Sequence, residues 1–299
     1  MKIVSLLPSA TEIVFALGLG DSLAGVSFEC DHPAEAREKA VVSGTALAAD
    51  LGSAGAIDAA VREQLAAGEP IYTLERDRLA EIQPDLILAQ DLCEVCAVPS
   101  GAIDEALEQL GCTSRVLSLD PVTLDDVIDT VTEVGAATGT EARAAGLVAA
   151  LHDRVADVRD ALRRVPRPRP RVLPLEWSDP PFSAGHWVPD MVDAAGGQCL
   201  LAPPGTRSRA LSWDEVAASQ PDVVVFAPCG HHLDAAVAAA TPLLEQPALA
   251  AAAQFWVVDA DSYFSRPGPR VVDGVELLAS ILHPDRVGAP DPADATRLR

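Results

Sequence analysis

Short apolar segments alternate with helix-like patterns along this chain, and that alternation constrains the fold more than any other feature. Residues 2 to 7, 23 to 27, 85 to 89, 115 to 119, 171 to 175, 222 to 227 and 255 to 259 are predicted strands. Strands that alternate with helices form parallel sheets covered by crossover helices. The alternation therefore predicts an α/β fold.

An internal echo divides the predicted strands into two similar groups. "EIQPDLILAQ" (81 to 90) and "ASQPDVVVFAP" (218 to 228) each run from a helix end through Gln-Pro-Asp into an apolar strand. Between the groups, Leu147, Leu151, Val155, Val158 and Leu162 form the apolar face of one long helix. We predict two Rossmann-like lobes joined by a backbone helix, with boundaries at 1–121, 122–168 and 169–299.

Charge and hydropathy exclude several partners. The 299 residues include 22 Lys and Arg against 44 Asp and Glu, a formal charge of -22, which disfavours nucleic acid and anionic membranes. No uncharged apolar run approaches the roughly 18 residues of a membrane span. Polar residues after the first strand interrupt any signal-peptide core, so the sequence predicts a cytoplasmic protein, or a periplasmic or extracellular one had a signal been removed. We expect a monomer.

Two loops rich in thiol and imidazole groups follow the echoed strands. Cys93 and Cys96 follow the first, and Cys229, His231 and His232 follow the second. The carboxyl ends of parallel strands are where α/β sheets bind ligands, and these side chains are ligands of zinc, iron and cobalt. The loops are predicted to bind a transition metal, to contact a ligand that contains one, or only to shape a cleft between the lobes.

A third loop concentrates the scarce aromatic residues. Trp177, Phe182 and Trp187 lie among prolines after a strand, with Glu176 and His186 beside them. Flat apolar side chains on a rigid loop suit a large flat ligand, although they could equally cover the core of their own lobe. His186 and Glu176 could ligate or polarise a ligand, or hydrogen-bond within the protein.

Near the C-terminus, Tyr263, Phe264 and Arg266 lie in a proline-rich loop. Arg266 could pair with a carboxylate or phosphate of a ligand, or with a partner inside the loop. The sequence contains no Gly-x-Gly-x-x-Gly motif after a strand, no P-loop and no Gly-x-Ser-x-Gly motif. These absences disfavour nucleotide chemistry and serine hydrolysis, and we predict no catalytic residue.

Four segments, in order, resemble the class III, or helical-backbone, periplasmic-binding-protein family, and most closely its vitamin B12-binding branch. They are "IVSLLPSATEIVFALGLGDSLAGVSFECDHP", "LAEIQPDLILAQ", "DPPFSAGHWVPDMVDAAGG" and "SRPGPRVVDGVELL". The resemblance covers about residues 2 to 285. It implies two lobes that hinge little about a stiff helix, with a small-molecule ligand held between them.

The resemblance also implies which residues contact a corrinoid ligand such as cobalamin. They are Ser9, Thr11, Phe28, Glu29, Gln90, Asp91, Glu176, Trp177, Phe182, His186, Trp187, Tyr263, Phe264 and Arg266. His186, His231 or His232 would be the candidates for a cobalt ligand. An ABC permease is implied as partner, and Asp104, Glu105 and Asp234 are candidate docking residues.

The leading hypothesis is therefore a non-enzymatic corrinoid-binding protein, either a carrier or a transport component. One alternative is a metal-dependent enzyme on the same scaffold, in which Cys93, Cys96, Cys229, His231 and Glu176 bind zinc, iron or cobalt or act on a small substrate. The other alternative keeps the binding role and replaces the corrinoid by haem or another metal chelate.

Overall fold

The computed structural model describes residues 1–48, 51–91, 101, 103, 107, 114–163 and 168–299. Its strands are β1 (Ile3–Ser5), β2 (Leu23–Val26), β3 (Ala40–Val41), β4 (Ser43–Thr45), β5 (Tyr72–Leu74), β6 (Leu86–Ala89), β7 (Arg115–Ser118), β8 (Arg171–Ser178), β9 (Pro181–Ser183), β10 (Gln198–Cys199), β11 (Val223–Phe226), β12 (Gln254–Val258) and β13 (Ala295–Arg297). Its α-helices are α1 (Pro8–Ala16), α2 (Ala54–Ala66), α3 (Arg76–Ile82), α4 (Leu124–Thr138), α5 (Glu141–Arg163), α6 (Val188–Ala194), α7 (Trp213–Ser219), α8 (Leu233–Ala240), α9 (Ala260–Tyr263), α10 (Val271–Leu282) and α11 (Pro284–Val287). The predicted α/β fold is confirmed. No helix in these ranges has both the length and the apolar character needed to cross a bilayer.

The chain divides into two compact units. Unit 1 comprises Met1–Pro121 and Asp129–Val148, and unit 2 comprises Val122–Ile128 and Ala149–Arg299. All seven predicted strands are present, each with bounds within a few residues of the prediction. The very short strands and the edge strand β13 were not predicted, because two or three residues are too few to show a period.

Unit 1 contains a five-stranded sheet in the order β3-β2-β1-β6-β7, and all its pairs are parallel. Strands β4 and β5 form a separate antiparallel pair. Successive side chains of β6 point to opposite faces of the sheet. All four of them are buried: Leu86, Ile87, Leu88 and Ala89. Complete burial of a central parallel strand explains why this segment is apolar at every position.

Unit 2 contains a sheet in the order β10-β8-β11-β12-β13, with β9 paired to β8. The pairs from β10 to β12 are parallel, whereas β9 and β13 pair in antiparallel fashion. Phe226 and Phe255 are fully buried in its core. Truncation of either to Ala would cost about 3–5 kcal/mol.

The start of α1 differs from the sequence pattern. Ser9 and Glu12 fit a capping box, which would make Ala10 the first helical residue, but the helix begins two residues earlier, with Leu7 as N-cap and Pro8 as its first residue, and no side chain caps it. Proline takes this position because its missing N–H has no helical partner to lose there. Gly18 follows the end of the helix. Its φ of 68° lets its own N–H and that of Leu19 donate to carbonyls of the last helical turn.

The segment predicted as a helical connector holds two helices. α4 ends at Gly139, which has a φ of 69°, and α5 then runs for 23 residues. The long apolar face of α5 is confirmed, because Leu151, Val155 and Val158 are buried. The three-part division of the chain stays a prediction.

Candidate functional site

Three segments at the carboxyl ends of β8, β11 and β12 in unit 2 are joined by hydrogen bonds. The N–H of Cys229 donates to the carbonyl of Glu176 at 3.2 Å. The N–H of Gly230 donates to the Asp261 carboxylate at 3.1 Å, and the N–H of Asp261 donates to the carbonyl of His231 at 3.3 Å. The middle loop is therefore held on both sides.

Glu176 is a mostly buried carboxyl that joins two neighbouring segments of unit 2. Its side chain accepts hydrogen bonds from the hydroxyl of Ser208 at 2.5 Å and from the N–H of Gly185 at 3.1 Å. Burial raises the pKa of Glu176 to about 7, although both hydrogen bonds favour the charged form. Near neutral pH this group can either donate or accept a hydrogen bond.

Trp177 and His231 pack together at this edge. Their ring centroids lie 5.8 Å apart with an interplanar angle of 72°, which is an edge-on contact. Phe182 pairs with Trp177 across β8 and β9, and all three side chains are partly exposed. These side chains can therefore present apolar surface to a bound molecule.

Trp187 and Phe264 are more buried than Trp177 and Phe182. They are 7% and 3% exposed, and the indole Nε1 of Trp187 donates to the Phe264 carbonyl at 2.8 Å. His186 stacks on Trp187 with centroids 5.6 Å apart, and its Nε2 is buried without a hydrogen-bond partner among the described residues. Burial and then the charge of Arg207 lower the pKa of His186, so the neutral imidazole is favoured. Trp187 and Phe264 therefore belong to the interior of unit 2, whereas His186 is partly exposed.

Arg266 and Tyr263 have partners within unit 2. The Arg266 guanidinium, 9% exposed, donates to the Asp261 carboxylate at 2.9 Å. The Tyr263 hydroxyl donates to Asp294 at 2.8 Å, and burial followed by this acidic partner raises the Tyr263 pKa. Of the two roles predicted for Arg266, the structure shows the internal pairing.

His231 and His232 are both held through their Nδ1 atoms. His231 Nδ1 lies 2.9 Å from the Cys229 carbonyl, and His232 Nδ1 lies 3.1 Å from each Asp259 oxygen. No group of three or more His, Cys, Asp or Glu side chains within the described ranges is arranged to hold a metal ion. Cys93 and Cys96, the other predicted metal ligands, lie outside the described residues, so the predicted metal site stays a prediction.

In unit 1, Ser9 and Thr11 face the interior. They are 2% and 0% exposed, and the Thr11 hydroxyl contacts the Cys30 Sγ at 3.1 Å. The Ser27 hydroxyl contacts the same sulfur at 3.3 Å. Thr11 therefore contacts the loop after β2 from the protein interior, and none of its own surface is accessible to a ligand.

The loop after β2 does expose an aromatic side chain. Phe28 is 43% exposed, and its ring lies 6.2 Å from that of Tyr72. The Tyr72 hydroxyl donates to Glu29 at 3.5 Å. Phe28 and Glu29 were predicted from the sequence; Tyr72 was missed because only the antiparallel pairing of β4 and β5 brings it here.

The end of β6 carries Gln90 and Asp91. The Gln90 amide, 4% exposed, donates to the Leu119 carbonyl at 3.2 Å, whereas Asp91 is exposed. Asp91 and Asp120 both accept from the Ser118 hydroxyl, at 3.2 and 2.7 Å. Asp104 and Glu105 lie outside the described residues, and Asp234 is exposed in the first turn of α8.

The structure also assigns roles to residues that sequence reasoning missed. Asp259 caps α9 by accepting from the Ser262 N–H at 2.9 Å, and Asp261 holds both Gly230 and Arg266. An Asp three residues before a Ser at a strand end is a cap signal that could have identified Asp259. No sequence pattern identifies Ser208, because only the fold brings it to Glu176.

Comparison with known proteins shows which proteins this chain is similar to. A cobalamin-binding protein of Halobacterium salinarum is 26% identical over 94% of this chain and 69% of the relative, and a vitamin B12-binding protein of Vibrio cholerae is 26% identical over 94% and 88%. Two solved structures share the fold. The periplasmic vitamin B12 binding protein BtuF of Vibrio cholerae has a TM-score of 0.63 at 24% identity, over 94% of this chain and 96% of that one. A periplasmic heme binding protein from Pseudomonas aeruginosa has a TM-score of 0.71 at 23% identity, over 100% and 99%. A family model described as "periplasmic binding protein" matches residues 3–261. The chain therefore belongs to the periplasmic binding protein family.

Proposed function

We propose that this solute-binding protein carries a corrinoid and delivers it to a membrane importer. The observation that carries the proposal is the similarity, over 94% of the chain, to proteins named cobalamin-binding and vitamin B12-binding. The four sequence segments identified above extend along the same length.

The chemistry of both sheet edges supports this choice. A corrin is a large, flat, mostly apolar macrocycle with amide side chains at its rim. Phe28 in unit 1 and Trp177 and Phe182 in unit 2 offer aromatic surface, whereas Asp91 and Glu176 offer polar groups for amides.

The direct test is equilibrium dialysis of the purified protein against cyanocobalamin. We expect saturable binding with one cobalamin per chain and quenching of tryptophan fluorescence, since Trp177 is partly exposed. The Trp177→Ala and Phe28→Ala variants should bind more weakly. His152→Ala, which removes an exposed side chain from α5, should bind as the wild type does. Absence of binding at tens of micromolar would overturn the proposal.

Two comparator measurements separate the alternatives. The same dialysis against haem tests the other metal-chelate ligand. Tighter binding of haem than of cobalamin would make haem the ligand in place of the corrinoid. Elemental analysis of the untreated protein tests the enzyme alternative, which requires stoichiometric zinc, iron or cobalt at Cys93, Cys96, Cys229 and His231.

Delivery to an importer needs its own test. A related protein of Bacillus subtilis, 24% identical over 95% of this chain, is named an ABC transporter substrate-binding lipoprotein. We propose Asp234 as one docking residue, so Asp234→Arg should leave cobalamin affinity unchanged and reduce cobalamin uptake by cells. Fractionation of those cells would show whether the protein works inside or outside the cytoplasmic membrane.

A further inference from the structure

The loop that carries His231 is rigidly placed. Its backbone is bonded on one side to Glu176 of β8, through the N–H of Cys229, and on the other to Asp261, through both Gly230 and His231. The His231 ring also packs edge-on against Trp177. Both the backbone and the ring of His231 are therefore held before any ligand arrives.

One hydrogen bond determines which nitrogen of His231 can bind a metal. Nδ1 lies 2.9 Å from the Cys229 carbonyl oxygen. A carbonyl oxygen only accepts hydrogen bonds, so Nδ1 carries the proton and, in the neutral ring, the lone pair lies on Nε2. Imidazoles that ligate metals usually have this arrangement, in which the second nitrogen donates to a carbonyl or carboxylate.

A single imidazole suits a metal that is already chelated. A bare ion needs three or more protein ligands. The cobalt of a corrinoid receives four equatorial nitrogens from the macrocycle, so the protein needs to supply only one axial ligand. The aromatic edge of Trp177 beside His231 fits contact with the macrocycle itself.

The other two candidate histidines are less well placed. The Nε2 of His186 is buried, and its ring stacks on the buried Trp187. His232 is 49% exposed, and its Nδ1 contacts the Asp259 carboxylate, which also leaves the lone pair of a neutral ring on Nε2. His231 is the better candidate because its ring packs edge-on against Trp177, the aromatic side chain proposed to contact the ligand.

We infer that His231 binds the cobalt of a corrinoid through Nε2, an inference that rests on the proposed function. With aquocobalamin, the Nε2 lone pair replaces the water ligand of Co(III), and neither an electron nor a proton is transferred. Cyanocobalamin, whose cyanide already occupies that axial position, is held by the surrounding contacts alone.

The test is a titration of aquocobalamin followed by its visible absorbance bands. We expect these bands to shift on binding to the wild type, to His232→Ala and to His152→Ala, and not to shift with His231→Ala or His231→Gln. Aquocobalamin affinity should fall about tenfold or more in the His231 variants. Cyanocobalamin should still bind saturably to all of them, which also shows that the variants are folded.

Electron paramagnetic resonance of bound cob(II)inamide, which lacks its own nucleotide base, gives a second readout. One axial nitrogen splits each cobalt line into three, and the splitting should disappear in His231→Gln. Binding of both cobalamins without a band shift, or a shift that persists in His231→Ala or disappears in His232→Ala, would overturn this inference and leave corrinoid binding intact. Failure of the wild type to bind either cobalamin would overturn both.

Discussion

Gln83 and Gln220, which are 137 positions apart, have the same backbone conformation at the same place in their units. Each ends a helix with a left-handed backbone, at φ 49° and 44°, and each is followed by Pro-Asp and a buried strand. The carboxylates of Asp85 and Asp222 then accept from the N–H groups of Lys2 and Arg171, both at 2.7 Å. The echo in the sequence thus encodes a repeated turn.

The left-handed turns predict a stabilising substitution. Gln83→Gly and Gln220→Gly should each raise the free energy of unfolding by about 0.5–1 kcal/mol, because glycine has no Cβ to strain at positive φ. Both side chains are exposed, so little packing is lost. Urea unfolding would measure the change. Glu81→Gly, in the regular part of α3, is the control and should instead destabilise by about 1 kcal/mol.

Glu176 predicts a pH-dependent stability. Its folded pKa of about 7 lies above the ordinary 4.5, so its stabilising contribution is complete below about pH 4.5 and is lost as pH rises through about 7. Glu176→Gln stays neutral and retains partners for Ser208 and Gly185. At about pH 8 it should be more stable than the wild type by about 3 kcal/mol, and the difference should vanish in acid. Equal pH profiles of urea unfolding for the two proteins would contradict this assignment.

Two tryptophans in one loop should respond differently to substitution. Trp187→Phe leaves the buried Phe264 carbonyl without its donor and should cost about 1–3 kcal/mol of stability, with cobalamin affinity little changed. Trp177→Ala should lower cobalamin affinity about tenfold at nearly constant stability. Thermal unfolding and dialysis on both variants separate the roles, and a large affinity loss in Trp187→Phe would place that side chain against the ligand.

Arg154 attaches α5 to α10 within unit 2. Its guanidinium bonds both oxygens of Glu276, at 2.8 and 2.6 Å, and also Asp273. Arg154→Ala should destabilise the protein by about 1 kcal/mol, since the pair is partly exposed, and Arg154→Lys should not restore this because an ammonium cannot bond both oxygens at once. Arg159→Ala on the same helix should change stability by less than about 0.5 kcal/mol. Chemical unfolding of the three variants provides the comparison.

The sequence by itself determined the elements of this protein. Buried parallel strands are apolar at every position and helices repeat every 3.6 residues, so β6, β11 and α5 could be predicted from their own residues. The Gln-Pro-Asp echo predicted two similar lobes, and in the structure it is a repeated turn, because turn chemistry is local. The start of α1 was predicted two residues late, because Pro8 takes the first position of the turn that Ser9 was expected to cap.

Only the tertiary structure decided which side chains of the candidate site are available to a ligand. Thr11, Trp187 and Arg266 match the pattern of contact residues, yet each is buried against a partner distant in sequence or held within its own loop. Tyr72 and Ser208 carry no sequence signal and reach the site through strand pairing and packing. Burial and hydrogen-bond partners depend on segments brought together from far along the chain, and a local pattern contains no information about them.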